Sequence, residues 1–132
     1  MSKMIMMAAG LLLVSSGFLA APAEARIFRQ VVSVQGAGGH GYFRARTVNR
    51  HENGVSVRRN FQTNSGAGMV TNRRASWGDG VYTGNATHTF NNGASFGRAT
   101  TVTGNGNGTA NYITTRTGLD GHSVTRSGTI SR

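Results

Sequence analysis

The chain has no cysteine and a single proline among its 132 residues. Without thiols, neither a disulfide scaffold nor a thiolate metal site can be built. Acidic residues are almost as scarce: Glu24, Glu52, Asp79 and Asp120 are the whole set, and they supply no pair for acid–base catalysis. Large apolar residues are thin too. After residue 25, Leu, Ile, Val and Phe total 19 of about 107 residues, just under the fifth below which a highly charged chain struggles to collapse. A second domain and a large enzyme core are excluded on size. Lysine is absent after Lys3, and no later run is apolar enough to span a bilayer as a helix.

Residues 1–25 read as an export signal. Lys3 gives a short positive start, Met4 to Ala21 is apolar, and Ala23-Glu24-Ala25 fits the small-x-small requirement of a signal peptidase. Ser15, Ser16, Gly17 and Pro22 break the apolar helix where a cleavable signal ends. The expected product starts at Arg26, is secreted or periplasmic, and forms a single β-rich domain over residues 26–132 with no transmembrane span. It holds 13 Arg, 18 Gly, 15 Thr, 11 Asn and 8 Ser. The formal charge of the chain is +10.

Glycines recur at a nearly fixed interval. Gly41, Gly54, Gly66, Gly80, Gly93, Gly106 and Gly121 lie 12 to 15 residues apart. Asn53-Gly54, Asp79-Gly80, Asn92-Gly93, Asn105-Gly106 and Asp120-Gly121 put Asn or Asp before Gly, the pair that tolerates positive φ in a type I′ hairpin turn. Between them, Val55, Val57, Arg59 and Phe61 alternate onto one face of a strand. Val124, Arg126 and Ile130 do so in another, opposite Ser and Thr. Ile27 to Val34 is the most apolar strand candidate. The pattern predicts an all-β fold of seven or eight short antiparallel strands, as a meander, a β-solenoid-like repeat, or strands that order only on stacking with other chains. Burial yields roughly 25 cal/mol per Å2, against roughly 1.5 kcal/mol of ordering entropy per residue. With so few large side chains a lone monomer is marginal, and repeat stacking or self-association would bury more.

No constellation for chemistry assembles. Gly36-Ala37-Gly38-Gly39-His40-Gly41 matches G-x-G-x-x-G, but β-prone residues follow it where the dinucleotide fold needs a helix, so it reads as a glycine-rich turn. Gly93-Ala94-Ser95-Phe96-Gly97 matches the nucleophile elbow in a chain too short for the α/β sheet that elbow requires. His40, His51, His88 and His122 show no local ligand spacing. We assign no catalytic, cofactor-binding or metal-binding residue and expect no small-molecule substrate.

The arginines have a functional slant. Arg44, Arg46, Arg58, Arg59, Arg73, Arg74, Arg98, Arg116 and Arg126 fall within strand candidates, where turns in register would align several of them into a stripe. Guanidinium forks bind phosphate and sulfate in bidentate fashion, and the net charge attracts any polyanion. Tyr42, Phe43, Trp77, Tyr82 and Phe96 are placed to stack on bases or sugars beside it. The same arginines would also keep an edge-rich sheet dispersed.

Thr101-Val102-Thr103-Gly104-Asn105-Gly106-Asn107-Gly108, Thr115-Arg116-Thr117-Gly118 and Ser123-Val124-Thr125-Arg126-Ser127-Gly128 carry a resemblance. They resemble the Thr-Val-Thr-Gly and Val-Thr-Arg repeats of small, signal-bearing, uncharacterised bacterial proteins, over about the last 35 residues. That resemblance implies no activity. The general plan is also similar to secreted repeat proteins that build surface fibres, although Gln30, Gln35 and Gln62 are too few for the curli-type pattern. The functional expectation is an exported, non-enzymatic structural or adhesive repeat protein of the bacterial cell envelope or matrix, whose partner is itself, as a homo-oligomer or fibre, or an envelope polyanion. The alternative is a cationic module for lipopolysaccharide, acidic polysaccharide or extracellular DNA.

Overall fold

The computed structural model describes residues 26–131, so the export-signal expectation for residues 1–25 lies outside the described residues. Eight strands follow one another: β1 (Arg26–Gln35), β2 (Gly41–His51), β3 (Gly54–Thr63), β4 (Gly68–Gly78), β5 (Val81–Phe90), β6 (Ser95–Gly104), β7 (Thr109–Thr117) and β8 (Ser123–Ser131). They form one antiparallel sheet in the order β1 to β8, each strand paired with its chain neighbour. The fold is all-β, as the composition predicts, and of the candidate architectures it is the meander. It is not closed into a barrel, because β1 and β8 are outer strands that do not pair with each other. No described helix is long and apolar enough to cross a membrane.

Five hairpins bond across a three-residue loop that closes on a positive-φ glycine, Gly36 to His40 and Asn105 to Thr109 among them. In the other three the glycine N–H also donates back to the carbonyl of the residue before the loop. Thr63 N–H donates to the Ala67 carbonyl, Phe90 to Ala94 and Gly118 to His122, with Gly66, Gly93 and Gly121 at φ 90°, 87° and 80°. This is a type I turn followed by a G1 bulge, in which only a residue without Cβ takes the left-handed position cheaply. Asp79-Gly80 is different. Both residues have positive φ, 51° and 73°, as a type I′ turn demands. It is the only one of the five expected Asn/Asp-Gly pairs with that geometry.

Gly41 and Gly54 correct the expected set of turn glycines, for neither has positive φ. Gly41 opens β2, and the tight bend before it belongs to Gly38 and Gly39, at φ 74° and 79°. What Gly41 provides is room. The Asn64 side-chain amide donates to the Gly39 carbonyl at 3.1 Å, and Asn91 repeats the bond to Gly66 at 2.8 Å. A Cβ on Gly41 or on Gly68 would come within 2.8 Å of the Nδ2 of Asn64 or Asn91 respectively. These two bonds tie successive turns along one end of the sheet.

The sheet is one layer thick. Among the described residues only Val48, Gly54 and Thr71 are buried, and no large side chain is fully enclosed. Short contacts across the surface take the place of a core. Tyr42 and Phe61 lie 5.9 Å apart, and His88 stacks on Phe96 at 4.6 Å. The rings of Tyr82 and Tyr112 cover Gly84 and Gly128, where a Cβ would meet ring atoms at 2.8 and 2.9 Å. Aromatic rings shield glycine gaps in sheets in this way.

Asn64→Ala and Asn91→Ala should each lower stability by about 0.5–1.5 kcal/mol, the worth of one such hydrogen bond, in urea unfolding followed by circular dichroism. Leu119 occupies the corresponding place in the third turn, directly after Gly118, and is 59% exposed. Leu119→Asn should restore the missing tie to the preceding turn and raise the midpoint; an unchanged midpoint would refute the tie as a stabilising device.

Candidate polyanion-binding face

Successive strand residues point to opposite faces, and cross-strand partners share one. The seven registers therefore sort every strand residue onto one of two surfaces. One surface carries Arg44, Arg46 and Arg50 of β2, Arg59 of β3 and Arg73 of β4. Arg98, Arg116 and Arg126 of β6, β7 and β8 continue it, and Arg26 of β1 completes it at the other side. The same face holds all three tyrosines, Trp77, and Phe28, Phe61, Phe90 and Phe96. The opposite face is mainly Thr, Ser and Asn, stitched by hydroxyl bonds such as Thr115–Thr125 and Thr117–Ser123, each 2.9 Å. We call the two the Arg face and the Thr face.

Seven of the nine predicted arginines share the Arg face, and two do not. Arg58 and Arg74 project to the Thr face, beside Thr47 and Asn72 and beside Ser56 and Asn85. The physical reason is the strand period: Arg58-Arg59 and Arg73-Arg74 are adjacent residues and cannot face the same way. Phe43 is likewise on the Thr face, beside Ser33 and Gln62. Sequence reasoning missed Arg26 and Arg50, whose parity along β1 and β2 was the available signal.

The Arg face has an electrostatic peculiarity. Arg26 is the direct partner of Arg50, Arg46 of Arg59, and Arg98 of Arg116. Like charges directly opposed destabilise a sheet, yet all three such pairs occur on this one face. No strand contains Asp or Glu; Glu52, Asp79 and Asp120 sit in turns. The Arg59 guanidinium is pushed below its ordinary value by burial first, then by the charges of Arg46, Arg73 and Arg44. The Nε atoms of Arg46 and Arg59 are buried and meet no acceptor. The face thus concentrates positive charge and leaves it without a counter-charge of its own.

The remaining sequence candidates do not converge. Residues 36–41 form a turn, with a three-residue 3-10 segment at Ala37–Gly39, and lead into β2 rather than a helix. Ser95 opens β6, while Asp120 is in the turn before β8 and accepts a bond from the His122 N–H at 3.1 Å. His88, the one histidine deep in a strand, faces Thr71 at 2.9 Å. Among the described residues no three of His, Cys, Asp and Glu come together as a metal site. An open hollow of about 320 Å3 lies at the strand ends, lined by residues that include His51, Ser56, Arg74 and Ser76. Comparison with known proteins finds no matching family model, curated protein or solved structure.

If the opposed arginines repel, Arg98→Gln should raise the unfolding free energy from urea titration at low salt by about 0.2–1 kcal/mol. The gain should fade in about 1 M salt, where the Debye length falls to about 3 Å. Arg58→Gln, with neutral partners on both sides, should change little. Loss of stability in Arg98→Gln at low salt would show that the pair is not a source of repulsion.

Proposed function

We propose that the chain is an exported, non-enzymatic structural or adhesive protein of the bacterial cell envelope or extracellular matrix, attaching to acidic polymers there through its Arg face. The observation that carries this reading is the set of three opposed Arg–Arg pairs on one face of a sheet whose strands contain no acid. A surface meant only to stay dispersed would avoid direct like-charge opposition, as the three arginines of the Thr face, Arg29, Arg58 and Arg74, do. A polymer bearing repeated negative groups removes the repulsion and adds charge-assisted bonds. Tyr82, Tyr112 and Trp77, on the same face and partly exposed, offer flat surfaces against which sugars or bases can stack. Lipopolysaccharide, acidic polysaccharide and extracellular DNA are the polymers that an exported protein meets. The export reading of residues 1–25 supports the compartment, and the lack of converging acid, base and nucleophile supports a non-enzymatic role.

A second reading, self-association, is favoured by a separate observation. A single layer that buries only two side chains among the described residues, Val48 and Thr71, leaves Ile27, Phe28, Val124 and Ile130 exposed along its outer strands. Neither outer strand has Pro or Lys to discourage pairing. Association with further copies would bury that surface and add to a stability that one sheet supplies poorly.

Two measurements test these readings. Binding to heparin, used as an acidic-polymer probe, should weaken steeply as salt rises, with a log–log slope of several units that falls by about one for each Arg-face residue changed to Gln. Arg58→Gln with Arg74→Gln should leave most of the slope. A flat salt dependence would sink the polymer reading. Sedimentation velocity over a wide concentration range in moderate salt should give larger species as concentration rises; a compact monomer throughout would sink self-association.

A further inference from the structure

One group of four arginines within the Arg face is linked by direct and diagonal register across three strands. Arg46 and Arg59 are direct partners across β2 and β3. Arg44, which partners Phe61, is diagonal to Arg59; so is Arg73, two residues along β4 from Thr71, the Arg59 partner. Diagonal neighbours lie about 7–8 Å apart, within reach of long side chains. Gln30 continues the row beyond Arg46. A shallow hollow of about 80 Å3 opens between Gln30, Val32, Arg44 and Arg46. The Nε–H groups of Arg46 and Arg59 have no acceptor in the protein, and Nε with the adjacent Nη forms one of the forks that grips an oxyanion in bidentate fashion.

We infer that Arg44, Arg46, Arg59 and Arg73, with Gln30 at the rim, form a discrete site for a tetrahedral oxyanion carried as a phosphate or sulfate ester. The inference rests on the polymer-binding reading and narrows it to one group of atoms. Four guanidinia favour a tetrahedral oxyanion over a carboxylate, which offers two acceptor oxygens in one plane and a single charge. A terminal phosphate ester presents three acceptor oxygens and a charge of about −1.5 to −2. A sulfate ester presents the same tetrahedral array with less charge. Either can bridge several forks at once, which relieves the Arg46–Arg59 opposition directly. The ester is held and released unchanged, and no bond is made or broken.

The test is a calorimetric titration of the purified protein with inorganic pyrophosphate at low ionic strength. We expect saturable binding of one pyrophosphate per chain. Arg46→Gln and Arg59→Gln should each weaken it at least tenfold. Arg46→Lys should also weaken it, because lysine keeps the charge and loses the fork. Arg58→Gln, on the Thr face, and Arg98→Gln, distant on the Arg face, should stay within about threefold of the unaltered protein. Heparin or polyphosphate should displace the pyrophosphate, and the more effective of the two identifies the ester. Unsaturable binding, equal weakening by all these substitutions, acetate binding as tightly as pyrophosphate, or displacement by neither polymer would each overturn the site. If heparin still bound the protein with a steep salt dependence after such a result, the polymer reading would stand without the site. If heparin did not bind either, both would fall.

Discussion

The backbone ladder is what the rest of this structure depends on. Seven antiparallel pairings join eight strands, while side-chain burial reaches completion at hardly any position. In a domain with a core, apolar burial decides which face of each strand turns inward, and the register follows. Here that force is weak, so register falls to the turns. Positive-φ glycines at 66, 93 and 121 fix three hairpins with one geometry. The Asp79-Gly80 turn fixes another with a different one. Asn64 and Asn91 then tie neighbouring turns together. A sheet built this way can place its side chains with little regard to packing, which leaves both faces free for other work.

The two faces use that freedom differently. Hydroxyls on the Thr face pair across strands, and no two of its arginines stand directly opposite each other. The Arg face differs. Its guanidinia oppose one another at three positions, and burial together with neighbouring charge weakens the hold of Arg59 on its proton. Such an arrangement costs stability in the free protein, and under the proposed function contact with negative charge would return it. Stability set aside at a site and recovered on binding is a common signature of function. The aromatic residues on the same face add contact area without adding charge, so a partner with both negative groups and flat rings is matched by the surface as a whole.

Much of the architecture was legible in the sequence, and the reasons are local. Val55, Val57, Arg59 and Phe61 do share a face, and Val124, Arg126 and Ile130 do lie opposite Ser and Thr, because alternation within one strand needs no knowledge of its neighbours. The choice of meander over solenoid was not legible, since it turns on how each turn passes the chain to the next strand. Gly41 and Gly54 looked like turn glycines and are not. At Gly41 a Cβ would collide with the Val34 carbonyl of the paired strand as well as with the Asn64 amide of another hairpin, and at Gly54 it would meet the Ala75 carbonyl at 2.9 Å. The Arg stripe was half legible. Its existence follows from strand placement, but the exclusion of Arg58 and Arg74 and the inclusion of Arg26 and Arg50 follow from parity carried across seven registers.

The central claim is that the Arg face stores repulsion which an acidic polymer relieves. It is tested most directly by following the thermal midpoint of the protein against salt, with and without saturating heparin. The account predicts opposite trends: added salt should raise the midpoint of the free protein by screening its opposed arginines. The same salt should erase the stabilisation conferred by the polymer, since that gain tracks binding. A free protein whose midpoint falls or stays level as salt is added, and which heparin leaves unmoved at low salt, would contradict it.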